Sequence, residues 1–278
     1  MNSLEDRLRE LGRDATSEDS QSLGAVIERG RRLRRRRMVA RIVAPVAAAA
    51  IVAVAIVVPV LGSTPASTSA ASAFLVDVGA RVGERPDADS RTASVWYVKI
   101  KHGSRGGVLE TWYSRVGEGM TLKTSATGRV TTSPADLILV AGSSDVTWDE
   151  LINLPTDPDQ LYAWLYEAVG DAGPDRLTEM WAATWDLLRQ SPAPTDLRRA
   201  LYIVASRLPD ITIEQNLTDV LGRPAVGIGH NWPGGATRYL VDPATGAVLE
   251  HQELIGREVT YRDTFIEQGP AAEVGVRP

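Results

Sequence analysis

The stretch TASVWYVKIK at residues 92–101 and the stretch VLETWYSRV at residues 108–116 predict two neighbouring β-strands. Both are rich in aromatic and β-branched residues, and a glycine-rich turn at residues 103–107 joins them. A third strand is predicted at residues 120–125, and an additional one at residues 129–132. This part of the chain therefore predicts an antiparallel meander.

The middle of the chain has a helical pattern, and strands follow it. A segment starting at Pro158 places apolar residues three and four positions apart, and two more segments do the same before Pro209. Alternating strands then return, separated by turns such as DPATG at residues 242–246. These strands are predicted at residues 211–221, 225–231, 237–241, 247–254 and 258–265. The order predicts an α+β domain over residues 91–267, with a helical segment inserted between two strand groups of a curved antiparallel sheet.

Upstream of this domain, residues 38–61 predict a single transmembrane helix. Residues 42–61 are twenty uncharged and almost wholly apolar positions. At about 1.5 Å of rise per residue, such a helix crosses about 30 Å of hydrocarbon. A cleaved signal peptide is the alternative, with a small-residue site at residues 71–73. The apolar run is longer than the usual core of such a signal, which favours an uncleaved anchor.

A block of arginines precedes the span and predicts its orientation. Eight arginines lie between positions 29 and 41, and no basic residue follows the span until Arg81. Positive charge beside a span stays in the cytoplasm, so we expect a cell-membrane protein with its N-terminus inside and its C-terminus outside. Residues 1–41 contain no aromatic residue, which argues against a nucleic-acid partner. The arginines expected to set topology and contact lipid headgroups are Arg34, Arg35, Arg36, Arg37 and Arg41.

The segments outside the span and the domain differ in charge and in predicted order. Residues 1–41 carry a net charge of +4 and the rest of the chain −9. Residues 1–37 form a tail with short amphipathic stripes, which are suited to docking to a cytoplasmic protein. The alternative is a frayed tail that only sets topology, which the shortness of the stripes and the glycines at positions 24 and 30 favour. Residues 62–90 are predicted to be a flexible linker, and residues 268–278 to be disordered.

No motif in the sequence predicts catalysis. Cysteine is absent, which excludes disulfides, a thiolate nucleophile and cysteine-containing zinc clusters. His102, His230 and His251 lack metal-ligand spacing and are expected at surface or strand-edge positions. An enzyme would require a polar cleft that gathers His230 or His251 with carboxylates from distant segments. We therefore expect a non-enzymatic protein with no catalytic residue, cofactor or metal.

The tryptophans are the remaining candidates for a binding site. The chain has seven tryptophans and only two phenylalanines. Rings on a curved sheet beneath helices are suited to lining an apolar cavity for a lipid or another hydrophobic ligand. The alternative is an ordinary core in which tryptophan supplies the bulk, and the scarcity of phenylalanine favours this alternative. The residues predicted to line such a pocket are Trp96, Trp112, Trp164, Trp181 and Trp185.

Three groups of residues carry a resemblance to a known family. They are the WYVK…ETWYS strand pair, LPTDPDQLYAWL at residues 154–165, and GRPAVGI…YLVDPATGAVLE within residues 222–250. In this order they resemble a family of actinobacterial single-pass membrane proteins of unknown function, known by a locus-tag name, over nearly the whole chain. The resemblance implies a regulatory role similar to that of a membrane anti-sigma factor. The histidine-plus-cysteine zinc motif of one large anti-sigma group is missing from the sequence, so the tail would need another fold.

The outer domain also resembles, at the level of fold, the half-barrels of LolA-type lipoprotein carriers and RseB-type sensors. Two hypotheses follow. The first is a single-pass membrane protein whose outer domain binds or senses a ligand and whose tail engages a partner such as a sigma factor. The second is a membrane-tethered carrier of a hydrophobic ligand, which predicts a solvent-accessible apolar cavity lined by several tryptophans.

Overall fold

The structure is a computed structural model that describes residues 66–83, 90–103, 106–137, 139–141, 144–170, 175–232 and 234–278. The predicted tail, the arginine block and the predicted span lie outside the described residues. Among the helices that are described, none is both long enough and apolar enough to cross a membrane. The span and its orientation therefore stay predictions.

A nine-stranded antiparallel sheet organises the described domain, in the order β4-β3-β2-β1-β11-β10-β9-β8-β7. Neighbouring strands are consecutive in sequence except at the centre, where β1 pairs with β11 and joins the two strand groups. A separate hairpin is formed by β5 and β6. The strands are β1 (Val95–His102), β2 (Val108–Ser114), β3 (Gly119–Thr124), β4 (Val130–Ala135), β5 (Leu139–Ala141), β6 (Ser144–Val146), β7 (Ile211–Thr218), β8 (Pro224–Trp232), β9 (Gly235–Val241), β10 (Val248–Ile255) and β11 (Glu258–Ala271). The predicted α+β class and antiparallel sheet are confirmed.

Five helices are described, and four of them lie between β6 and β7 in the sequence. They are α1 (Ala66–Gly83), α2 (Trp148–Ile152), α3 (Pro158–Val169), α4 (Arg176–Arg189) and α5 (Thr195–Ser206). Asp157 accepts hydrogen bonds from two backbone amides at the start of α3, and Asp175 does the same for α4. A capping box of Thr147 and Glu150 starts α2. The acidic residues in this region therefore stabilise helix N-termini, as their positions in the sequence indicate.

The two faces of the sheet have different coverings. Trp96, Val98 and Ile100 of β1 point to what we call the inner face, where they share the main core cluster with residues of α1, α3, α4 and α5. Val95 and Tyr97 alternate to the outer face and belong to a separate cluster. The helices therefore pack on one face, which is the arrangement expected for an α+β domain.

Helix α1 contradicts part of the predicted linker at residues 62–90. An apolar stripe at helical spacing is buried along it, and the Ser72 hydroxyl donates to the Ser206 carbonyl of α5 at 2.7 Å. The alanine- and serine-rich composition indicated a flexible tether because these small residues conceal the stripe. The stripe residues, each at most 5% exposed, are Ala71, Leu75, Val78 and Val82.

The prediction of disorder at residues 268–278 is also wrong. β11 continues to Ala271 in register with β1, and the residues that follow lie against the outer face. There the Trp112 indole N–H donates to the Val276 carbonyl at 2.7 Å. Gly269 and Pro270 interrupt the alternating pattern in the sequence but not the strand pairing, so the strand runs past its predicted end.

We expect Leu75→Ala to lower the free energy of unfolding by about 2–5 kcal/mol, because this side chain is fully buried in the core. The matched control is Val76→Ala, which truncates a neighbour that is 48% exposed and should change stability by less than about 0.5 kcal/mol. Urea denaturation of both variants measures the difference. Equally small effects would show that α1 does not dock on the domain.

Candidate functional site

A row of polar and aromatic residues crosses four adjacent strands on the inner face of the sheet. Asp263 of β11 is the register partner of His102 on one side and of His251 on the other. His251 in turn is paired with Tyr239 of β9. We call these four residues the inner row. All four side chains point to the same face because directly opposed residues in a ladder share a side of the sheet.

Asp263 is the central charge of the inner row, and its side chain is only 10% exposed. Its Oδ1 lies 2.5 Å from His102 Nδ1, and its Oδ2 accepts a hydrogen bond from the Tyr261 hydroxyl at 2.7 Å. Burial acts to raise the pKa of the Asp263 carboxyl, but these hydrogen bonds and the two nearby imidazoles outweigh it, so the pKa lies below its usual range. The carboxylate is therefore held in its charged form.

An aromatic stack forms the floor beside this charge. The His251 ring stacks on Tyr239 with centroids 4.9 Å apart, and Tyr239 stacks on Trp185 of α4 at 4.4 Å with nearly parallel planes. Trp181, one turn earlier in α4, stacks on His230 at 5.5 Å. These ring contacts fix the orientation of the His251 and His230 imidazoles by packing.

Arg189, in the last turn of α4, adds a cation to the inner row. Its Nη2 lies 2.8 Å from Asp186 Oδ1. Burial tends to lower the pKa of Arg189, but Asp186 and the groups of Tyr239, Asp263 and Tyr261 raise it above its usual range. The Nε–H of Arg189 is buried and has no hydrogen-bond acceptor among the described groups. The Arg189 side chain is 21% exposed, so part of the guanidinium is accessible although its Nε–H is not.

Together with the Arg189 guanidinium, the inner row provides a carboxylate, two imidazoles and an aromatic ring. These groups are suited to binding a ligand. Both Asp263 oxygens are engaged by His102 and Tyr261, so the carboxylate orients its neighbours. Among the described residues, no cluster of three or more histidine, aspartate or glutamate side chains is placed to hold a metal ion. His230 lies apart beside Trp181, and burial lowers its pKa, which favours the neutral imidazole.

The predicted tryptophan pocket is not formed as one site. Trp96, Trp181 and Trp185 are buried in the inner core cluster, and Trp164 packs against it partly exposed. Trp112 lies on the outer face with Tyr97, separated from the others by the sheet. A pocket lined by all five rings is therefore excluded, because Trp112 points to the opposite side of the sheet from Trp96.

The inner row was not predicted from the sequence. His102 and His251 were expected at surface or strand-edge positions, whereas both are half-buried on the inner face and His230 is buried. The turn of the β10–β11 hairpin at residues 256–257 signals that these two strands pair, but an uninterrupted ladder would place His251 opposite Arg262, and only the bulge between Glu253 and Leu254 brings it opposite Asp263. His102 had no such signal, because the pairing of β1 with β11 joins segments 161 residues apart.

No protein-family model, curated protein or solved structure matches this chain.

We expect Asp263→Asn to lower the free energy of unfolding at pH 7 by about 1–3 kcal/mol, since it removes the charge that accepts both hydrogen bonds. A carboxyl whose pKa is lowered by folding stabilises the protein above its unfolded-state pKa of about 3.9, and loses that contribution as the pH falls through the folded-state pKa. The difference between variant and wild type should therefore shrink below about pH 4.

Urea denaturation at pH 7 and at lower pH measures this dependence. Asp145→Asn, at an exposed position of β6, controls for the general loss of one negative charge. A difference that is the same at every pH would contradict the electrostatic origin and would assign the loss to packing.

Proposed function

We propose that this chain is a non-enzymatic single-pass membrane protein whose extracytoplasmic domain binds and senses a ligand at the inner row. The observation that carries the proposal is the convergence of Arg189, His102 and Asp263 beside the stacked rings of Tyr239 and His251. Convergent polar groups at the edge of an aromatic surface are the usual composition of a small-molecule site.

Binding is favoured over catalysis by the way in which the polar groups are used. Asp263 accepts from His102 and Tyr261 with both oxygens, and His251 is stacked on Tyr239. A general base needs a proton to remove from a positioned reactant, and a nucleophile needs such a base within hydrogen-bond reach. The described contacts of the inner row orient its members toward one another instead.

The kind of ligand follows from the two parts of the site. The half-buried His251 ring, stacked on Tyr239, suits an apolar body, and the Arg189 guanidinium, on a side chain that is 21% exposed, suits an acceptor oxygen. An amphipathic molecule satisfies both. The carrier hypothesis requires several tryptophans around an accessible cavity, and the complete burial of Trp181 and Trp185 favours sensing over transport.

The membrane half of the proposal is supported by the sequence. Residues 42–61 are long and apolar enough to span a bilayer, and the arginines before them favour a cytoplasmic tail. A tail of about forty residues, with short amphipathic stripes, suits docking to a cytoplasmic protein such as a sigma factor. Ligand binding outside would then be communicated to that protein.

The absence of cysteine makes the topology directly measurable with two single-cysteine variants. Val116 is 82% exposed, so Val116→Cys should react with a membrane-impermeant maleimide on intact cells. Ser20→Cys, in the tail, should react only after the cells are permeabilised. The wild-type chain is the blank because it contains no thiol. Labelling of Ser20→Cys in intact cells would overturn the orientation.

Affinity purification from crosslinked membranes, followed by mass spectrometry of proteins and small molecules, tests partner binding by the tail and ligand binding by the outer domain separately. Deletion of residues 2–37 should lose the cytoplasmic partner and keep the ligand. His102→Ala should lose the ligand and keep the partner, because it removes one hydrogen bond that orients Asp263.

Thr131→Ala, on the edge strand β4 away from the inner row, is the matched control and should retain both. A tail deletion that loses no partner and changes no transcript would contradict the proposed regulatory role of the tail. Identical small molecules in the His102→Ala and wild-type samples would contradict the proposed ligand sensing at the inner row.

A further inference from the structure

A second polar site lies on the outer face, on the opposite side of the sheet from the inner row. Glu110 of β2 projects there beside Tyr97 and Trp112, and its side chain is 5% exposed. Tyr97 is fully buried and Trp112 nearly so. A carboxylate in such an environment is costly unless it is paired and hydrogen-bonded.

Arg277 supplies the partner for this carboxylate through a two-point contact. Arg277 Nε donates to Glu110 Oε2 at 2.6 Å, and Arg277 Nη2 donates to Oε1 at 2.9 Å. The Tyr97 hydroxyl donates to Oε2 at 2.6 Å. The bonds from Arg277, opposed by burial and aided by Tyr97, lower the pKa of the Glu110 carboxyl. The geometry matches a guanidinium, whose planar fork binds both carboxylate oxygens at once.

The backbone next to Arg277 is also recognised. The Trp112 indole N–H donates to the Val276 carbonyl at 2.7 Å, and Val274 packs against the cluster of Val95, Tyr97 and Trp112. The site therefore contacts three features of a segment that turns at residues 273–276, where the Val276 N–H donates to the Glu273 carbonyl and Gly275 has φ +88°. These features are an apolar side chain, a backbone carbonyl and, one residue after that carbonyl, an arginine.

The two halves of this contact differ in how firmly they are built into the fold. Glu110, Tyr97 and Trp112 belong to the central strands β1 and β2 and are buried. Arg277 is 59% exposed and follows the last residue of β11 by six positions, and Val276 is 45% exposed. Glu110 and the two aromatic rings beside it are thus part of the sheet. Arg277 belongs to a segment whose displacement would break no strand pairing.

We propose that Tyr97, Glu110 and Trp112 form a recognition site for an arginine-bearing turn segment of a partner protein, and that residues 274–277 of the chain itself occupy this site. The charge favours such a partner, because the chain after residue 41 has a net charge of −9 and would attract a basic segment. The internal segment competes at an effective concentration of the order of millimolar, so a partner engages only when that segment is displaced. The site is independent of the inner row and of ligand sensing.

The test uses a chain that lacks residues 274–278 and a labelled pentapeptide VGVRP with the deleted sequence. Fluorescence anisotropy should show the truncated chain binding the peptide at least about tenfold more tightly than the wild-type chain, in which the site is filled. The peptide VGVKP should bind at least about tenfold more weakly than VGVRP, because an ammonium cannot make the two-point contact.

Glu110→Gln in the truncated chain should weaken VGVRP by at least about tenfold, because it removes the charge and keeps the shape. Glu267→Gln is the matched control, since Glu267 faces the same side from β11, opposite Lys99, and should leave the affinity within about twofold. Circular dichroism establishes that each variant is folded. If the truncated chain does not fold, full-length Arg277→Ala replaces it with the same expected order of affinities.

Equal binding of VGVRP and VGVKP, binding that survives Glu110→Gln, or failure of both folded variants to bind would overturn the proposal. Light scattering of the wild-type chain over a range of concentrations tests whether a second copy of this chain occupies the site. A dimer that Arg277→Ala dissolves would show that the segment comes from a second copy of this chain, and would overturn the assignment to a different partner.

Discussion

The pairing of β1 with β11 is the interaction on which the rest of the domain depends. The other neighbouring strands of the large sheet are consecutive in sequence, so each half could form by local hairpins. Only the central ladder, from Val95 opposite Ala271 to His102 opposite Asp263, joins the halves into one sheet. It closes a loop of about 160 residues. The conformational entropy lost on closing this loop opposes folding until the ladder contacts have formed. The helical segment between the halves makes that closure favourable by covering the inner face.

Both sites described above are consequences of this one ladder. At the His102 end, it places an imidazole of the first strand group against a carboxylate of the second, on the inner face. Toward the Val95 end, it carries the chain past Ala271 to the outer face, where Arg277 reaches Glu110. Each site therefore combines residues from the two ends of the domain. A change that weakened the ladder would disturb the ligand site and the arginine-recognition site together.

Strands, helices and turns that depend on nearby residues were predictable from the sequence. The wrong predictions for α1 and for Trp112 each have a physical reason. Strands of alternating residues, the helix that starts at Pro158, and the DPATG turn with Gly246 at φ +67° appear where the sequence indicates them. α1 was misjudged because alanine and serine conceal its buried stripe. Trp112 was grouped with the other tryptophans because composition does not reveal which side of a strand faces the helices, a choice that the register of β1 and β2 makes.

The sequence by itself determined the α+β class, the order of the strands of the large sheet and of the three helices α3, α4 and α5, and the helix caps, since each depends on residues within a few positions of one another. It also predicts the membrane span, through the length and apolarity of residues 42–61. The tertiary structure alone decided which titratable groups meet. His102 reaches Asp263, and Arg277 reaches Glu110, only across a ladder between distant strands. The reason is physical, because a register shift of one residue would turn each of these side chains to the other face.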